Sequence, residues 1–273
     1  MSMEHGDDQI RLLLARVEEL CDRAAHGRFC CTNFLTPREQ RHATELLRRM
    51  GEYRRARLHG GYAAAERACL LFFPDYVVDA YDEATFAACP IDELLAFAGE
   101  DDPVAAIAVR AGGYRTLTHR DYLGSLLSLG LEREVIGDIA LDGNDATVLC
   151  LSHIRPFLLS SVERIGGDAV RVKEVTLDAD FDGGRKLMPL SDTVASPRLD
   201  CVVAALANLS RETAQSTVRD GLVEVDYECE QRPDYMLSTP CTVSVRGVGK
   251  FIVRDLSVPT RKGRLRLIAD KYM

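Results

Sequence analysis

Between Pro103 and Leu177, segments with the hydrophobic pattern of a strand alternate with segments that have the pattern of a helix. The order of these segments constrains the fold more than any other feature of the chain. In chain order, the segments are an apolar run (104–109), a helical run (120–129), two strands (136–141 and 146–151), a helix (154–165) and an alternating strand (170–177). This βαββαβ order predicts a central ferredoxin-like domain at 81–180, the split βαβ plan of many RNA-binding sheets.

The first and last strands of that predicted sheet carry no aromatic side chain, in either 104–109 or 170–177. RNA-binding sheets that read single strands stack two or three bases on such aromatics. Any RNA bound by this domain is therefore expected to be recognised by its shape and charge.

Residues 1–80 read as an α-rich N-terminal domain. Apolar residues from Ile10 to Cys21 recur at helical spacing, and Thr36-Pro37-Arg38-Glu39 has the form of a capping box that starts a second helix, ending near Met50. Basic side chains on this helix and on a central helix predict a second RNA face, formed by Arg38, Arg41, Arg48, Arg49 and Arg120. The alternative is an ordinary solvated helix surface with Glu/Arg pairs.

An acidic stretch at 75–102 separates the first two domains. No Lys or Arg lies between Arg67 and Arg110, so a polyanion is repelled there. The chain as a whole has a formal net charge of −8 and a pI near 5.4, which excludes a uniformly basic nucleic-acid coat. Any nucleic-acid site must be local.

Residues 190–273 read as a third domain, after a linker or edge segment at 178–196. Two short helices follow Pro197, the second capped by Ser210, and alternating strands come after them. The last stretch, 241–273, is rich in cations and is expected to be a basic tail that binds a polyanion, the alternative being a solubilising tail. These cations are Arg246, Lys250, Arg254, Arg261, Lys262, Arg264, Arg266 and Lys271.

The third domain resembles the S4 (αL) RNA-binding domain. The match is carried by Arg198-Leu199-Asp200, Leu209-Ser210-Arg211, Ala214-Gln215, Gly221-Leu222-Val223 and Val243-Ser244-Val245-Arg246-Gly247. The resemblance implies an RNA face, to which the basic tail adds Arg261, Lys262 and Arg264. The residues that the S4 pattern itself implies for this face are Arg198, Ser210, Arg211, Gln215, Arg246 and Lys250. Asp220 and Asp226 depart from the S4 pattern, and Glu224 and Glu228 add further negative charge, which argues against phosphate contact at that edge.

From about residue 30 to 267 the chain resembles the YlmH family of bacterial proteins. The motifs are Phe34-Leu35-x-Pro37-Arg38-Glu39-Gln40, Gly60-Gly61-Tyr62 with Ala65-Glu66-Arg67, Thr118-His119-Arg120-Asp121-Tyr122 and Arg133-Glu134-x-Ile136-Gly137-Asp138. The resemblance implies an α+β protein of three small domains. It also implies attachment to rRNA of the large ribosomal subunit, with peptidyl-tRNA nearby, in quality control of stalled translation, and an association with cell division.

No enzyme, cofactor or metal site is predicted. His119-Arg120-Asp121 imitates a kinase loop but lacks its other motifs, and His119 with Asp121 is expected to cap a helix. Cys30-Cys31 with His26 lacks a fourth zinc ligand, and no two of the nine cysteines make a C-x-x-C pair.

The remaining expectations concern the setting of the protein. A cytoplasmic monomer that binds neither membrane nor DNA is expected. The odd number of cysteines favours a reducing cytoplasm, and no apolar run reaches the ~18–20 residues of a membrane span. Two alternatives stay open: an RNA-modifying enzyme or its specificity subunit, and a cell-division interaction protein.

Overall fold

The chain folds into two compact units, residues 1–184 and residues 185–273. The computed structural model describes residues 2–113, 116–261 and 263–272, with side chains from residue 8 onward. Both units mix helices and sheets, as the predicted α+β class requires. The division of the first unit into an N-terminal domain at 1–80 and a central domain at 81–180 stays a prediction.

The first unit contains two sheets and the longer helices. Its helices are α1 (Ser2–Ala25), α2 (Pro37–Met50), α3 (Asp75–Val78), α4 (Glu83–Ala88), α5 (Ile91–Ala98), α6 (His119–Leu127) and α7 (Arg155–Ser161). Its strands are β1 (Cys30–Cys31), β2 (Ala56–His59), β3 (Cys69–Phe72), β4 (Val104–Ala111), β5 (Ile136–Asp142), β6 (Asp145–Leu151), β7 (Arg164–Ile165) and β8 (Asp168–Val175). Single turns of 3-10 helix lie at Tyr53–Arg55, Arg133–Val135 and Ser152–Ile154.

Helix α2 begins and ends where the sequence predicts. The Thr36 hydroxyl accepts from the Glu39 amide at 3.3 Å, and the Glu39 carboxylate accepts from the Thr36 amide at 2.6 Å, which completes the capping box. Gly51 ends the helix in the left-handed conformation at φ 75°. The buried faces of α1 and α2 pack together over the small sheet β1-β3-β2.

The five-stranded sheet has the order β5-β6-β4-β8-β7, and every neighbouring pair is antiparallel. Apart from the short edge strand β7, its strands and helices follow the predicted βαββαβ order. One face, which includes Ile107 and Val109, packs against α6 and α7. The opposite face is covered at one end, where Val104 and Ala106 pack with Phe34 and other N-terminal residues.

Asp138 joins the 60–67 loop to strand β5. Its carboxylate accepts from the Tyr62 hydroxyl at 2.7 Å and from the amides of Glu66 and Arg67 at 2.7 and 3.0 Å. The Arg67 guanidinium is buried and donates to the carbonyls of Phe34 and Ile136 at 2.8 and 3.2 Å. Several motif residues that carry the family resemblance therefore hold this unit together from inside.

The second unit is a six-stranded sheet with two helices on it, in the order β11-β10-β12-β13-β14-β9. Its helices are α8 (Leu199–Ala207) and α9 (Arg211–Arg219). Its strands are β9 (Leu187–Val194), β10 (Val223–Val225), β11 (Glu228–Cys229), β12 (Cys241–Val245), β13 (Gly249–Asp255) and β14 (Leu265–Tyr272). One core cluster takes Val202 and Val218 from the helices and Val243, Phe251 and Leu267 from the sheet.

The structure corrects three expectations about elements. The helix expected at 154–165 ends at Ser161, because Gly166 turns the chain at φ 57° and lets β7 pair with β8. Thr118, not His119, caps α6 with Asp121 as its capping-box partner. The end of the basic stretch, expected as a tail, is strand β14, which pairs with β13 and β9 along its length.

Candidate nucleic-acid interface

Three of the predicted RNA-face residues converge on one buried carboxylate. Asp200 lies in the first turn of α8 with none of its surface exposed. Arg198 forms a bidentate ion pair with it, the geometry favoured for guanidinium and carboxylate, with Nε–Oδ1 and Nη2–Oδ2 distances of 3.0 and 3.1 Å. From α9, Gln215 Nε2 donates to Oδ2 at 2.8 Å, and Arg211 Nε lies 3.4 Å from the same oxygen.

The surroundings of Asp200 keep it charged. Burial by itself raises the pKa of this carboxyl, but the hydrogen bonds from Arg198, Gln215 and Cys201 outweigh it and hold the pKa well below its usual value. The anion holds two outward guanidinium groups in fixed positions, since the Arg198 and Arg211 side chains are 34% and 59% exposed. Because these side chains are partly exposed, their remaining N–H donors are available to bind phosphate oxygens.

The predicted residue Ser210 is exposed and also caps a helix. It is the N-cap of α9, and its hydroxyl oxygen accepts from the Thr213 amide at 3.1 Å. The joint before it turns at Asn208, in the left-handed conformation at φ 52°. This short connection brings Arg211 and Gln215 back over Asp200, so Ser210 contributes by fixing the start of α9.

Arg246 and Lys250 lie on the hairpin that joins β12 to β13. Arg246 is exposed at the mouth of a groove of about 470 Å³ that Glu224 and Gly249 also line. The Lys250 ammonium stands over two aromatic rings, 4.8 Å from the centre of Tyr227 and 4.7 Å from that of Tyr272. The acidic Glu224 in this groove agrees with the expectation from the sequence that phosphate contact is disfavoured at this edge.

Two further cations of the predicted RNA face, Arg261 and Arg264, lie on the connection between β13 and β14. Arg264 donates to the Thr193 carbonyl at 2.6 Å, which ties the connection to strand β9. Arg261 is exposed at the preceding turn, and Lys262 lies outside the described residues. The connection is therefore anchored to strand β9 by Arg264 and carries the exposed Arg261.

The predicted second face is divided between two helices of the first unit. On α2, Arg41 pairs with Glu45 at 3.0 Å, and the Arg48 guanidinium lies 4.8 Å from the centre of the Tyr53 ring. Both contacts fit the alternative of a solvated helix surface. The remaining members are Arg38 (half-buried on α2), Arg49 (exposed on α2) and Arg120 (exposed on α6).

Sequence reasoning missed Asp200, which was assigned no role. The signal was an acidic residue two positions after Arg198, on the helix face that α9 covers with Arg211 and Gln215. Within residues 2–113, 116–261 and 263–272, no cluster of His, Cys, Asp and Glu is placed to hold a metal ion. In the same residues no helix is long and apolar enough to cross a membrane.

The chain is similar to one protein family and to two known proteins. Residues 109–179 match the family model described as "Putative RNA-binding domain in YlmH". The chain is 28% identical over 241 residues to the "Ribosome-associated protein quality control protein P2" of Bacillus subtilis strain 168, covering 88% of this chain and 86% of that protein. A solved structure, "Cell division protein ylmH from Streptococcus pneumoniae", aligns with a TM-score of 0.45 at 19% identity, covering 61% of this chain and 91% of that one.

The family match shows that residues 109–179 are similar to the domain described as the putative RNA-binding domain of YlmH. Together with the relative matched over most of both lengths, it confirms the resemblance to the YlmH family noted in the sequence. The names of these relatives describe RNA-binding and ribosome-associated proteins rather than enzymes.

Proposed function

We propose that this protein binds rRNA of the large ribosomal subunit and acts beside peptidyl-tRNA in quality control of stalled translation. The observation that carries the proposal is the pair of outward guanidinium groups that Asp200 holds in fixed positions. The name of the Bacillus subtilis relative, a ribosome-associated quality control protein, supports a role at the ribosome.

The proposal assigns a role to each part of the chain. Residues 190–273 act as an S4 RNA-binding domain, 81–180 as a ferredoxin-like second RNA-binding domain and 1–80 as an α-rich domain joined to it. The RNA face consists of Arg198, Arg211, Gln215, Arg246, Lys250, Arg261, Lys262 and Arg264, with Ser210 fixing the start of α9. The protein works as a cytoplasmic monomer without a cofactor.

The mechanism is positional. Arginine and lysine donors bind phosphates and so fix the orientation of the protein on folded RNA, without reading its sequence. A chain held in this way keeps a stalled large subunit in a state on which another factor acts. No chemical step is required of the protein itself.

The test is sedimentation of a cell lysate through sucrose gradients at low and moderate salt. We expect the intact protein to travel with large subunits that carry peptidyl-tRNA, and Arg198→Ala/Arg211→Ala to remain near the top. Arg11→Ala/Arg23→Ala makes the same charge change on exposed positions of α1 and is expected to travel like the intact protein. Failure of the intact protein to enter the subunit fractions at any salt would refute the ribosomal function.

A further inference from the structure

The five-stranded sheet has one face that is only half covered. Side chains alternate between the two faces of a strand, so the burial of Val104 and Ala106 under N-terminal residues places Ala108 and Arg110 on the same face. Along β4, burial on this face stops after Ala106: Ala108 is half-buried, and Arg110 is exposed. The face is therefore open at the Arg110 end of β4.

The open end is lined by cations from two neighbouring strands. In the register of β4 and β8, Arg110 stands opposite Arg171, and Ala108 stands opposite Lys173. Thr147 of β6 lies opposite Ala108 on its other side. We call this group, Ala108, Arg110, Thr147, Arg171 and Lys173, the open half-face.

The cations of the open half-face lack the usual compensation. Like charges directly opposite each other in an antiparallel pair repel and destabilise the pair. In the part of the chain that the structure describes, Arg110, Arg171 and Lys173 form no ion pair and no side-chain hydrogen bond. On the neighbouring strand β6, the Asp145 carboxylate accepts a hydrogen bond from the Ala111 amide at 3.0 Å.

The opposite face of β8 carries a charge that is neutralised by an ion pair. Glu174, between Lys173 and Val175 on β8, points to the helix side and pairs with Arg155 of α7 at 2.5 Å. Arg155 on the helix side is therefore neutralised by a carboxylate, whereas the cations of the open half-face have no such partner among the described residues.

The spacing of the cations on the open half-face and its lack of aromatic rings indicate which class of ligand it binds. Arg171 and Lys173 are two residues apart on one strand, roughly 7 Å, and Arg110 lies on the next strand, roughly 5 Å away. The open half-face contains no aromatic ring on which a base could stack, so its contacts are to phosphate oxygens. A row of fixed cations of this kind fits the backbone of folded RNA.

We propose that the open half-face is a second phosphate-binding surface for folded RNA, formed by Arg110, Arg171 and Lys173. It rests on the proposed function and deepens it, because it gives the matched region at 109–179 a specific face and specific residues. The arginines predicted on α2 and α6 are not part of it. A bound phosphate lies between Arg110 and Arg171 and replaces their repulsion by attraction to a shared anion.

The test uses the full chain and a fluorescent RNA hairpin of mixed sequence, titrated at several salt concentrations. Arg171→Gln/Lys173→Gln is compared with Arg11→Gln/Arg23→Gln, which removes the same charge from α1. Each phosphate contact contributes roughly 0.7–0.9 to the slope of log K against log salt, so losing two lowers the slope by roughly 1.4–1.8. We expect this reduction in the first variant and an unchanged slope in the second, with a melting temperature for the first variant no lower than that of the intact chain, because a repulsion is relieved.

A second readout uses the unaltered chain and so does not depend on how a variant folds. Acetylation of Lys173 with a small amine-reactive reagent is expected to slow when the hairpin is added. Equal slopes for the two double variants, or equal acetylation of Lys173 with and without RNA, would overturn the inference.

The two proposals fail in different ways. If the intact chain binds the hairpin with a steep salt slope, and Arg198→Ala/Arg211→Ala reduces it while Arg171→Gln/Lys173→Gln does not, the inference alone is wrong. If the intact chain shows no salt-sensitive binding, the proposed function is wrong and the inference falls with it.

Discussion

At the scale of single residues, charge and burial are arranged so that one anion controls several cations. Asp200 is an acidic group in the middle of a surface proposed to bind a polyanion, which by simple charge counting is unfavourable. Its contacts with Arg198, Arg211 and Gln215 give it another role, that of fixing donors which otherwise move freely. A guanidinium that is already fixed loses less conformational entropy when it binds a phosphate.

The Asp200 carboxylate is expected to stabilise the second unit above about pH 4 and to lose this effect in acid. Its pKa is lowered in the folded chain, so the stabilisation is complete above the unfolded value of about 3.9 and falls as the pH drops towards the folded value. Asp200→Asn is expected to cost on the order of 2 kcal/mol at pH 7 and progressively less below pH 4. Urea unfolding at a series of pH values measures both.

The matched control for Asp200 is Asp234→Asn, an exposed carboxylate in the same unit. It is expected to change the free energy of unfolding by less than about 0.5 kcal/mol. A cost for Asp200→Asn that stays constant from pH 7 to pH 3 would contradict the assignment of its stabilising effect to the charged form.

At the scale of elements, the sequence predicts best what local chemistry decides. The capping box at Thr36 and the glycine at Gly51 define α2 without help from the rest of the chain. Strand β9 could not be predicted as firmly, because its partner β14 comes some 70 residues later and its own sequence, Leu187–Val194, contains Pro189. The arrangement around Asp200 escaped prediction for the same reason, since it needs α9 folded back over α8.

Strand β5 packs closely against its neighbours because Gly137 has no side chain. A Cβ at Gly137 would lie 2.7 Å from Phe34 Cε1 and 2.9 Å from Leu149 Cβ, closer than such atoms approach in folded proteins. Gly137→Ala is therefore expected to destabilise the first unit by about 1–3 kcal/mol through overpacking. Thermal and urea unfolding of the variant give the measurement.

Gly124→Ala is the control for that variant, because a Cβ at this position on α6 meets nothing within 4 Å. Replacing an open helical glycine by alanine is expected to stabilise the chain by up to about 1 kcal/mol. Opposite signs for the two substitutions are expected, and a neutral Gly137→Ala would refute the close approach of Phe34 and β5.

At the scale of the whole molecule, two units each present their own candidate RNA surface. Binding through two linked surfaces raises the effective affinity beyond that of either, provided that one RNA reaches both. The −8 net charge of the chain limits indiscriminate binding, while local clusters supply the attraction. This local distribution of charge was predictable from composition, whereas the open half-face required strand register.

The second unit is expected to need β9 for its stability. A fragment of residues 185–273 retains the whole six-stranded sheet and should unfold cooperatively. A fragment of residues 197–273 keeps both helices but leaves β14 as a bare edge, because all eight β9 partners of that strand are removed. Circular dichroism during heating is expected to show a lower melting temperature for the shorter fragment, and equal melting would refute the requirement.

The pairing of β9 with β14 also determines where the chain enters and leaves this unit. Leu187, near its beginning, lies opposite Tyr272, near its end. Neighbouring strands are about 5 Å apart, so the two ends of the unit are adjacent in space. Such a unit is suited to circular permutation: a short linker can join the two ends, and new termini can be opened at an exposed turn. It can equally be inserted as a cassette into a surface loop of another protein.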